Sequence, residues 1–414
     1  MKNNLENMEV SDKHVPLRFA VFILALLLAA GAFSYAVMRF GYKESGYYSI
    51  EAEERESVPY YAQGITLRYH CTGGSNGIKA LLQELKGAYT AALLQCYELL
   101  DAENSYPDLN NLASVNEQAG SPVKLEPELF ELLADAWEKT QENRGYSLLA
   151  GPFYAEWNSV RILENAADFD PLQNEEERER LAELAALTAD RSAVFLELGA
   201  ASQSVTLQVD AAVQRRLQEL EYTGPVLELN LLREAYLLQL VAARMEEKGF
   251  SDGYLCTDSG LSLALSGLRE GSFCLYGSDG EHALPAASMT AAGGQACSLV
   301  HVFAYSDAQR GYYTVEGAQG PIRRHPCVPA DGSFSGCATA AMTVDPHGRL
   351  ADACFENLAL LCLGTPDAVR AAAAQSERPV AYLLEEGGMT VYVNAAGEEI
   401  RPETDYGFRL EHIG

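Results

Sequence analysis

Residues 19–38 form an uncharged stretch of 20 residues, FAVFILALLLAAGAFSYAVM, near the start of the chain. A helix of about 20 apolar residues spans a hydrocarbon core of about 30 Å. The stretch therefore predicts a transmembrane anchor at 19–40, a cytoplasmic tail at 1–18 and a body outside the cytoplasm. Lys2, Lys13 and Arg18 in the tail favour this orientation only weakly, because Arg39 follows the stretch. A cleaved signal peptide is the alternative, since Ala30-Gly31-Ala32 is similar to a cleavage site.

The chain as a whole is acidic and of globular composition. It has 414 residues, of which 48 % are hydrophobic and 21 % charged, and its formal charge is −28. This composition excludes a chain that is disordered, collagen-like or coiled-coil throughout. An acidic body repels phosphate backbones, so we expect no nucleic-acid partner.

Nine cysteines are scattered along the chain, and no two stand at C-x-x-C spacing. This argues against a zinc ribbon and against a thioredoxin-like redox motif. Two interpretations stay open. The cysteines are small core residues in a reduced setting, or some pair in an oxidising one, with Cys327 and Cys337 the nearest candidates across a turn-rich stretch.

Hydrophobic periodicity predicts a single α+β domain at 64–414, after a linker at 41–63. The pattern favours helices at 78–100, 125–140, 175–187, 231–248 and 351–363. It favours strands at 64–69, 193–198, 204–209, 253–256, 298–305, 312–315, 338–344, 380–384 and 390–394. Asn174 with Glu177 resembles a capping box at the start of the third helix, and Gly249 follows the end of the fourth.

The common catalytic motifs are missing from the sequence, among them G-x-G-x-x-G, H-E-x-x-H and G-x-S-x-G. Two local groups remain as candidates. His325 lies in the basic patch Arg323-Arg324-His325-Pro326 and is suited to moving a proton near neutral pH. Asp352 and Glu356 stand at i and i+4 of a predicted helix, so both carboxylates share one face and suit a hard cation such as Mg²⁺. The alternative for each group is ordinary solvated surface charge.

Five short segments follow one another in an order that is similar to a series of motifs in one known family. Residues 109–116 (LNNLASVN) are similar to the motif S-x-x-S-x-x-N, and residues 145–153 (GYSLLAGPF) to G-A-F-D-x-T-V-G-P-L. Residues 228–236 (ELNLLREAY) stand in the place of D-L-G-G-I-A-K-G-Y. The patch around His325 corresponds to S-H-x-x-D-P-x-T-G, and residues 350–353 to the start of A-D-A-x-x-T. Over about 64–400 the chain therefore resembles the ApbE-like FAD:protein FMN transferases.

This resemblance implies an exported protein that binds FAD and Mg²⁺ and attaches FMN, through a phosphoester, to a Thr or Ser of a target flavoprotein. We expect that target to belong to a membrane redox complex. The metal would neutralise diphosphate oxygens, as in other phosphoryl transfers. By position, the resemblance makes His325 the catalytic residue and Asp352 and Glu356 the metal ligands. The cofactor-binding residues that it implies are Asn116, Ser147, Glu234, Tyr236, Ser259, Gly260 and Ser306.

Several positions depart from the family pattern. Glu234 stands in place of a Lys and reverses a charge beside the diphosphate, while Asn230 and Leu231 replace two flexible glycines. Arg233 stands in place of a small residue whose carbonyl binds the metal, and Val328 in place of an Asp. Two functions therefore stay open: an FMN transferase, or a catalytically degenerate member that serves as a flavin-binding or scaffold ectodomain of a membrane complex. A third interpretation is an unrelated exported α+β domain.

Overall fold

The computed structural model describes residues 15–40, 42–53, 64–279, 282–301, 313–317, 320–324 and 336–413. Within these ranges it describes only the backbone of residues 15, 18, 34–40, 313, 314 and 320–323. The chain divides into two compact units. The smaller unit comprises residues 1–46 and 71–83, and the larger one comprises residues 47–70 and 84–414.

The α-helices of the described residues are α1 (Val15–Phe40), α2 (Ser75–Leu100), α3 (Leu112–Glu117), α4 (Pro127–Gln141), α5 (Gly151–Arg161), α6 (Ala166–Phe169), α7 (Glu175–Ala189), α8 (Ala211–Glu219), α9 (Arg233–Glu247), α10 (Leu350–Leu361) and α11 (Pro366–Gln375). Short 3₁₀ turns lie at Asn230–Leu232, Glu385–Gly387, Ala395–Gly397 and Thr404–Tyr406.

The strands of the described residues are β1 (Gly46–Glu51), β2 (Ile65–Cys71), β3 (Val123–Lys124), β4 (Val194–Gly199), β5 (Ser204–Val209), β6 (Gly253–Thr257), β7 (Leu261–Ala264), β8 (Ser272–Ser278), β9 (Ala283–Thr290), β10 (Ala296–His301), β11 (Tyr313–Gly317), β12 (Gly320–Arg324), β13 (Ala338–Asp345), β14 (Val380–Leu384), β15 (Thr390–Asn394), β16 (Arg401–Pro402) and β17 (Arg409–Ile413).

In the smaller unit, two hydrogen bonds join the chain after α1 to the start of α2. The backbone N–H of Lys43 donates to Oγ of Ser75 at 2.9 Å, and that of Gly73 donates to Oγ of Ser45 at 3.2 Å. The helices of the described residues include none that is both long enough and apolar enough to cross a membrane.

A nine-stranded sheet organises the larger unit, in the order β1-β2-β6-β7-β10-β13-β14-β15-β17. Neighbours from β2 to β15 are antiparallel, and β15 pairs with β17 in parallel. The smaller sheets are β16-β9-β8, β3-β5-β4 and the hairpin β11-β12. The mixture of antiparallel strands and irregularly placed helices confirms the α+β class.

The two faces of the sheet are covered differently, as β13 shows. Met342 and Val344 pack in a core cluster with Leu275 of β8, whereas Ala341 packs in another cluster with Leu360 of α10. Successive side chains of a strand point to opposite faces. Because both faces are buried, the β13 sequence ATAAMTVD lacks the polar alternation of a half-solvated strand.

Several predicted elements are confirmed with their bounds or their caps. Strands β5, β14 and β15 begin and end at the predicted residues. The side chain of Asn174 accepts from the N–H of Glu177 at 3.2 Å and caps α7, as the sequence indicates. The eight described cysteines are free thiols, and Cys327 lies outside the described residues.

Other elements differ from the sequence predictions. Strand β1 lies inside the segment that we interpreted as a linker, and the hairpin β8–β9 and helices α5 and α11 have no predicted counterpart. Pro152 and Pro366 mark the starts of the two helices, because proline suits the first helical turn. Helix α9 begins at Arg233 rather than Leu231, because Asn230 adopts a φ of +50° and begins a 3₁₀ turn that ends at Leu232.

Candidate functional site

The helices α9 and α10 meet near their N-termini, which brings the segment 228–236 close to Asp352. The backbone N–H of Ala351 donates to Oε1 of Gln239 at 2.7 Å, and the thiol of Cys354 donates to the carbonyl of Leu231 at 3.7 Å. The two segments that resemble the family's cofactor and metal motifs are therefore adjacent in space.

Asp352 and Glu356 share one face of α10, as their spacing predicts, and Arg378 binds both of them. Its Nη2 donates to Oδ2 of Asp352 at 2.8 Å, and its Nη1 donates to Oε2 of Glu356 at 3.2 Å. Its Nε donates to Oδ2 of Asp345, at the end of β13, at 2.7 Å. One guanidinium thus joins three carboxylates.

Burial raises the pKa of Asp345, but the hydrogen bond from Arg378 and those from the backbone N–H groups of Arg349 and His347 outweigh it. The pKa of this carboxyl therefore lies below its usual range. Burial also lowers the pKa of Arg378, and its carboxylate partners reverse that shift. Arg378 is charged at every physiological pH, and so is Asp345.

Lys139 of α4 binds the other oxygen of Asp352. Its Nζ lies 2.6 Å from Oδ1 of Asp352 and 2.6 Å from Oδ1 of Asp135, and its side chain is only 7 % exposed. The hydroxyl of Tyr236 donates to Oδ2 of Asp135 at 2.6 Å. We call the four carboxylates and three cations the α10 cluster; its members are Asp135, Lys139, Asp345, Arg349, Asp352, Glu356 and Arg378.

The α10 cluster does not fit a Mg²⁺ ion as it is arranged. Mg²⁺ needs free oxygen ligands at about 2.0–2.1 Å in octahedral geometry. Both oxygens of Asp352 are bonded to cationic side chains, because Lys139 holds Oδ1, and Arg378 and Arg349 hold Oδ2. In the described part of the chain, no group of three or more His, Cys, Asp or Glu side chains is placed to hold a metal ion.

Glu234 lies at the start of α9, and its carboxylate accepts a hydrogen bond from Ser259. Oγ of Ser259 donates to Oε2 of Glu234, and the hydroxyls of Ser259 and Thr257 lie 2.6 Å apart. Burial raises the pKa of Glu234; the Ser259 hydrogen bond opposes this shift, and Asp258 adds to it. The position that the resemblance gives to a cation is therefore occupied by a half-buried acid.

Arg233 binds Glu228, and its charge also lowers the pKa of Glu234. Its Nε donates to Oε1 of Glu228 at 2.9 Å, its Nη2 donates to Oε2, and the N–H of Asn230 donates to Oε1 at 3.2 Å. Asn230 has a left-handed backbone, which Asn tolerates better than most residues do.

Asn116 and Ser147, two other residues that the resemblance assigns to cofactor binding, make hydrogen bonds within the protein. Oδ1 of Asn116 accepts from the N–H groups of Val226 and Leu227 at 3.1 and 2.9 Å, and its Nδ2 donates to two carbonyls. Oγ of Ser147 accepts from Nη2 of Arg191 at 3.0 Å. These side chains join chain segments, and their polar atoms are already paired.

Gly260 is a glycine by necessity. Its φ is +101°, and a Cβ atom there would lie 2.3 Å from the carbonyl oxygen of Leu299 on β10. His325 and Ser306 lie outside the described residues. The catalytic role of His325 and the cofactor-binding role of Ser306, which the resemblance implies, therefore stay predictions.

Sequence reasoning missed the cations of the α10 cluster. Lys139 is part of a predicted helix but looks like an ordinary surface residue of it, and Arg378 lies in a turn without periodicity. Asp345 could have been noticed, because it lies where a predicted strand ends and a loop begins, and functional residues are frequent at such places. In the structure, its Oδ1 accepts from the N–H groups of His347 and Arg349 at 2.9 and 3.0 Å.

Comparison with solved structures identifies the fold. The ApbE protein of Thermotoga maritima MSB8 matches with a TM-score of 0.55 and 12 % identity, over 87 % of this chain and 98 % of its own. The apo flavinyl transferase ApbE of Pseudomonas stutzeri matches with a TM-score of 0.55 and 15 % identity, over 86 % and 97 %. The flavin transferase ApbE of Vibrio cholerae matches with a TM-score of 0.56 and 12 % identity, over 86 % and 98 %.

At the level of sequence, no protein-family model and no curated protein matches the chain. The likeness therefore lies in the three-dimensional arrangement of the elements, at sequence identities of 12–15 %. The protein has the fold of the ApbE flavin transferases.

Proposed function

We propose that this protein is an ApbE-like domain that has lost metal-assisted transfer of FMN from FAD and serves as a scaffold or binding ectodomain of a membrane complex. The observation that carries the proposal is the ion pairing of Asp352. Both oxygens of the carboxylate that the resemblance assigns to the metal are held by Lys139, Arg349 and Arg378.

The charge at the start of α9 supports the same proposal. The FAD diphosphate is anionic, and Glu234 with its neighbour Asp258 places two acids where the resemblance calls for a Lys. Two unit charges 4 Å apart interact by about 4 kcal/mol at an effective dielectric constant near 20. Arg233 offsets these acids only in part, because Glu228 also binds its guanidinium through two nitrogens.

A titration of FAD at fixed Mg²⁺ tests the proposal. The full chain and its Glu234→Lys variant are compared by calorimetry, with Glu399→Lys as a control that makes the same charge change at an exposed site. We expect weak binding by the wild type and the control, and at least tenfold tighter binding by Glu234→Lys, equivalent to about 1.4 kcal/mol. Tight FAD binding by the wild type would contradict the charge argument, and tight binding together with transfer of FMN to an acceptor would overturn the proposal.

Retained flavin transfer is the second candidate, and the fold together with the meeting of α9 and α10 favours it. In that reaction the hydroxyl of a Thr or Ser of an acceptor flavoprotein would attack the FMN phosphorus of FAD. The pyrophosphate bond would break, AMP would leave, and FMN would stay on the acceptor as a phosphoester. The assay is the appearance of covalent flavin fluorescence on an acceptor domain incubated with FAD, Mg²⁺ and this protein. Labelling at a rate that falls with Asp352→Asn would establish transfer.

We also propose that the N-terminal segment anchors the protein in a membrane with its body outside the cytoplasm. The charge-free sequence at 19–38 supports this, and so do the exposed apolar side chains of α1, such as Phe19 and Leu28 at 65 and 66 % exposure. A reporter fused after Gly414 is expected to be active only outside the cytoplasm, and the intact chain to resist alkaline extraction from membranes. Recovery of the intact chain in the cytoplasmic fraction would exclude the anchor.

A further inference from the structure

We propose that Arg378, assisted by Lys139, takes the place of a divalent cation among Asp345, Asp352 and Glu356, so that this cluster is complete without metal. The proposal concerns the cation that the three acids hold, and it stands whether or not the protein binds a flavin.

The guanidinium of Arg378 binds three carboxylates at the same time. Its three nitrogens each donate to a different acid, at 2.7 Å to Asp345, 2.8 Å to Asp352 and 3.2 Å to Glu356. A guanidinium presents its donors in a planar fork and keeps its charge at all physiological pH values. One guanidinium therefore binds three acids at once, as a metal ion at their centre would.

Lys139 adds a second positive charge at the other oxygen of Asp352, so that Arg378 and Lys139 together carry the charge of a divalent cation. Its Nζ lies 2.6 Å from Oδ1, while Arg378 holds Oδ2. Both side chains are largely buried, at 7 and 24 % exposure. A metal ion approaching Asp352 would have to displace one cation and remain next to the other, and like charges in such a site repel strongly.

The backbone around Arg378 is held independently of the acids. Nδ2 of Asn394 donates to the carbonyl of Arg378 at 2.8 Å, and Oγ of Ser376 accepts from its N–H at 3.0 Å. Asn394 is 1 % exposed. The backbone of Arg378 is therefore positioned by Asn394 and Ser376, and its place does not depend on the acids that the guanidinium binds.

Titration with Mn²⁺, followed by the EPR signal of the free ion and without any flavin, tests the proposal. The full chain is compared with Arg378→Gln, which removes the central cation and leaves three acids. The control is Arg370→Gln, which removes a guanidinium that lies near Asp367 and Glu386 on the surface. We expect Arg378→Gln to bind one Mn²⁺ at least tenfold more tightly than the wild type and the control, and Asp352→Asn to abolish that gain.

Binding of Mn²⁺ by the wild type that Asp352→Asn removes would overturn the proposal, and so would equal binding by Arg378→Gln and the wild type. If Arg378→Gln does not fold alone, its refolding on addition of Mg²⁺ supports the proposal. If Arg378→Gln folds neither alone nor with Mg²⁺, the wild type and Asp352→Asn are compared without it. Absence of a Mn²⁺ site from both of these proteins would then support the proposal. Flavin binding and transfer are measured separately, so that failure of this inference and failure of the proposed function are distinguishable.

Discussion

The side-chain amide of Asn394, at the end of β15, donates to the backbone carbonyl of Arg378 at 2.8 Å. The same Nδ2 donates to the carbonyls of Ala373 and Ser376, and Oδ1 accepts from the N–H of Val380 at 2.9 Å. One buried amide therefore shapes the turn between α11 and β14. The α10 cluster depends on this turn, since it presents the guanidinium to the three acids.

Asn394→Ala is expected to lower the free energy of unfolding by about 3 kcal/mol, because buried backbone groups lose their partners. Urea unfolding followed by circular dichroism measures the change. The control is Asn165→Ala at an exposed site, for which we expect a change within about 0.5 kcal/mol. Equal losses in the two variants would contradict the role of Asn394.

The ion pair of Arg324 and Asp170 is buried, with side-chain exposures of 1 and 0 % and nitrogen–oxygen distances of 2.7 and 2.9 Å. Arg324→Met is expected to cost about 3–5 kcal/mol of unfolding free energy, because it leaves a buried charge without its partner. The double variant Arg324→Met/Asp170→Leu should recover part of that loss. A double-mutant cycle measures the coupling energy between the two side chains. Additive losses would mean that the two charges do not stabilise each other.

Glu234→Gln is expected to raise the stability of the protein at pH 7 relative to wild type. Burial raises the pKa of Glu234. The stability contributed by this group is therefore fully present below its unfolded pKa, about 4.3, and is lost as pH rises through the folded pKa. The advantage of the variant should vanish below about pH 4, where Glu is protonated in both states.

Melting temperatures of wild type, Glu234→Gln and the exposed control Glu399→Gln at pH 4 and pH 7 test this dependence. The control should show no difference between the two pH values beyond that of wild type. A lower melting temperature for Glu234→Gln at pH 7 would mean that the ionised carboxylate, held by Ser259, stabilises the fold.

Asp101 is expected to stabilise the protein at neutral pH and to lose this effect in acid. Its carboxylate accepts from the N–H groups of Glu103 and Asn104 at 2.9 and 3.1 Å, and from the hydroxyls of Tyr97 and Tyr106 at 3.0 and 2.8 Å. Burial raises its pKa, but the hydrogen bonds from Glu103, from the backbone and side chain of Asn104 and from Tyr106 lower it by more. The contribution is present above the unfolded pKa and lost as pH falls through the folded one.

Asp101→Asn is expected to cost about 1.5–3 kcal/mol at pH 7, because a charged acceptor of four or more hydrogen bonds is lost. The cost should shrink below about pH 4 as the wild-type carboxyl is protonated. Denaturant unfolding at several pH values measures it, with the exposed Asp405→Asn as the control. A cost that does not change with pH would assign the effect to packing rather than to charge.

Local signals predicted the regular elements of this fold. The capped start of α7 at Asn174 and the strands β14 and β15 follow from short-range patterns, which depend on neighbours within a few residues. Helices α5 and α11 were within reach of the same reasoning through Pro152 and Pro366. The hairpin β8–β9 was not, because its sequences FCLYG and ALPAASM lack a clear two-residue alternation.

The sequence by itself determined that Asp352 and Glu356 face the same way, because residues four apart lie on one side of any α-helix. Only the tertiary structure decided what they face. Arg378 is 26 residues from Asp352 along the chain, and Lys139 belongs to another helix. The choice between a metal ion and an internal cation depends on which charges the fold brings together, and no local pattern specifies contacts over such separations.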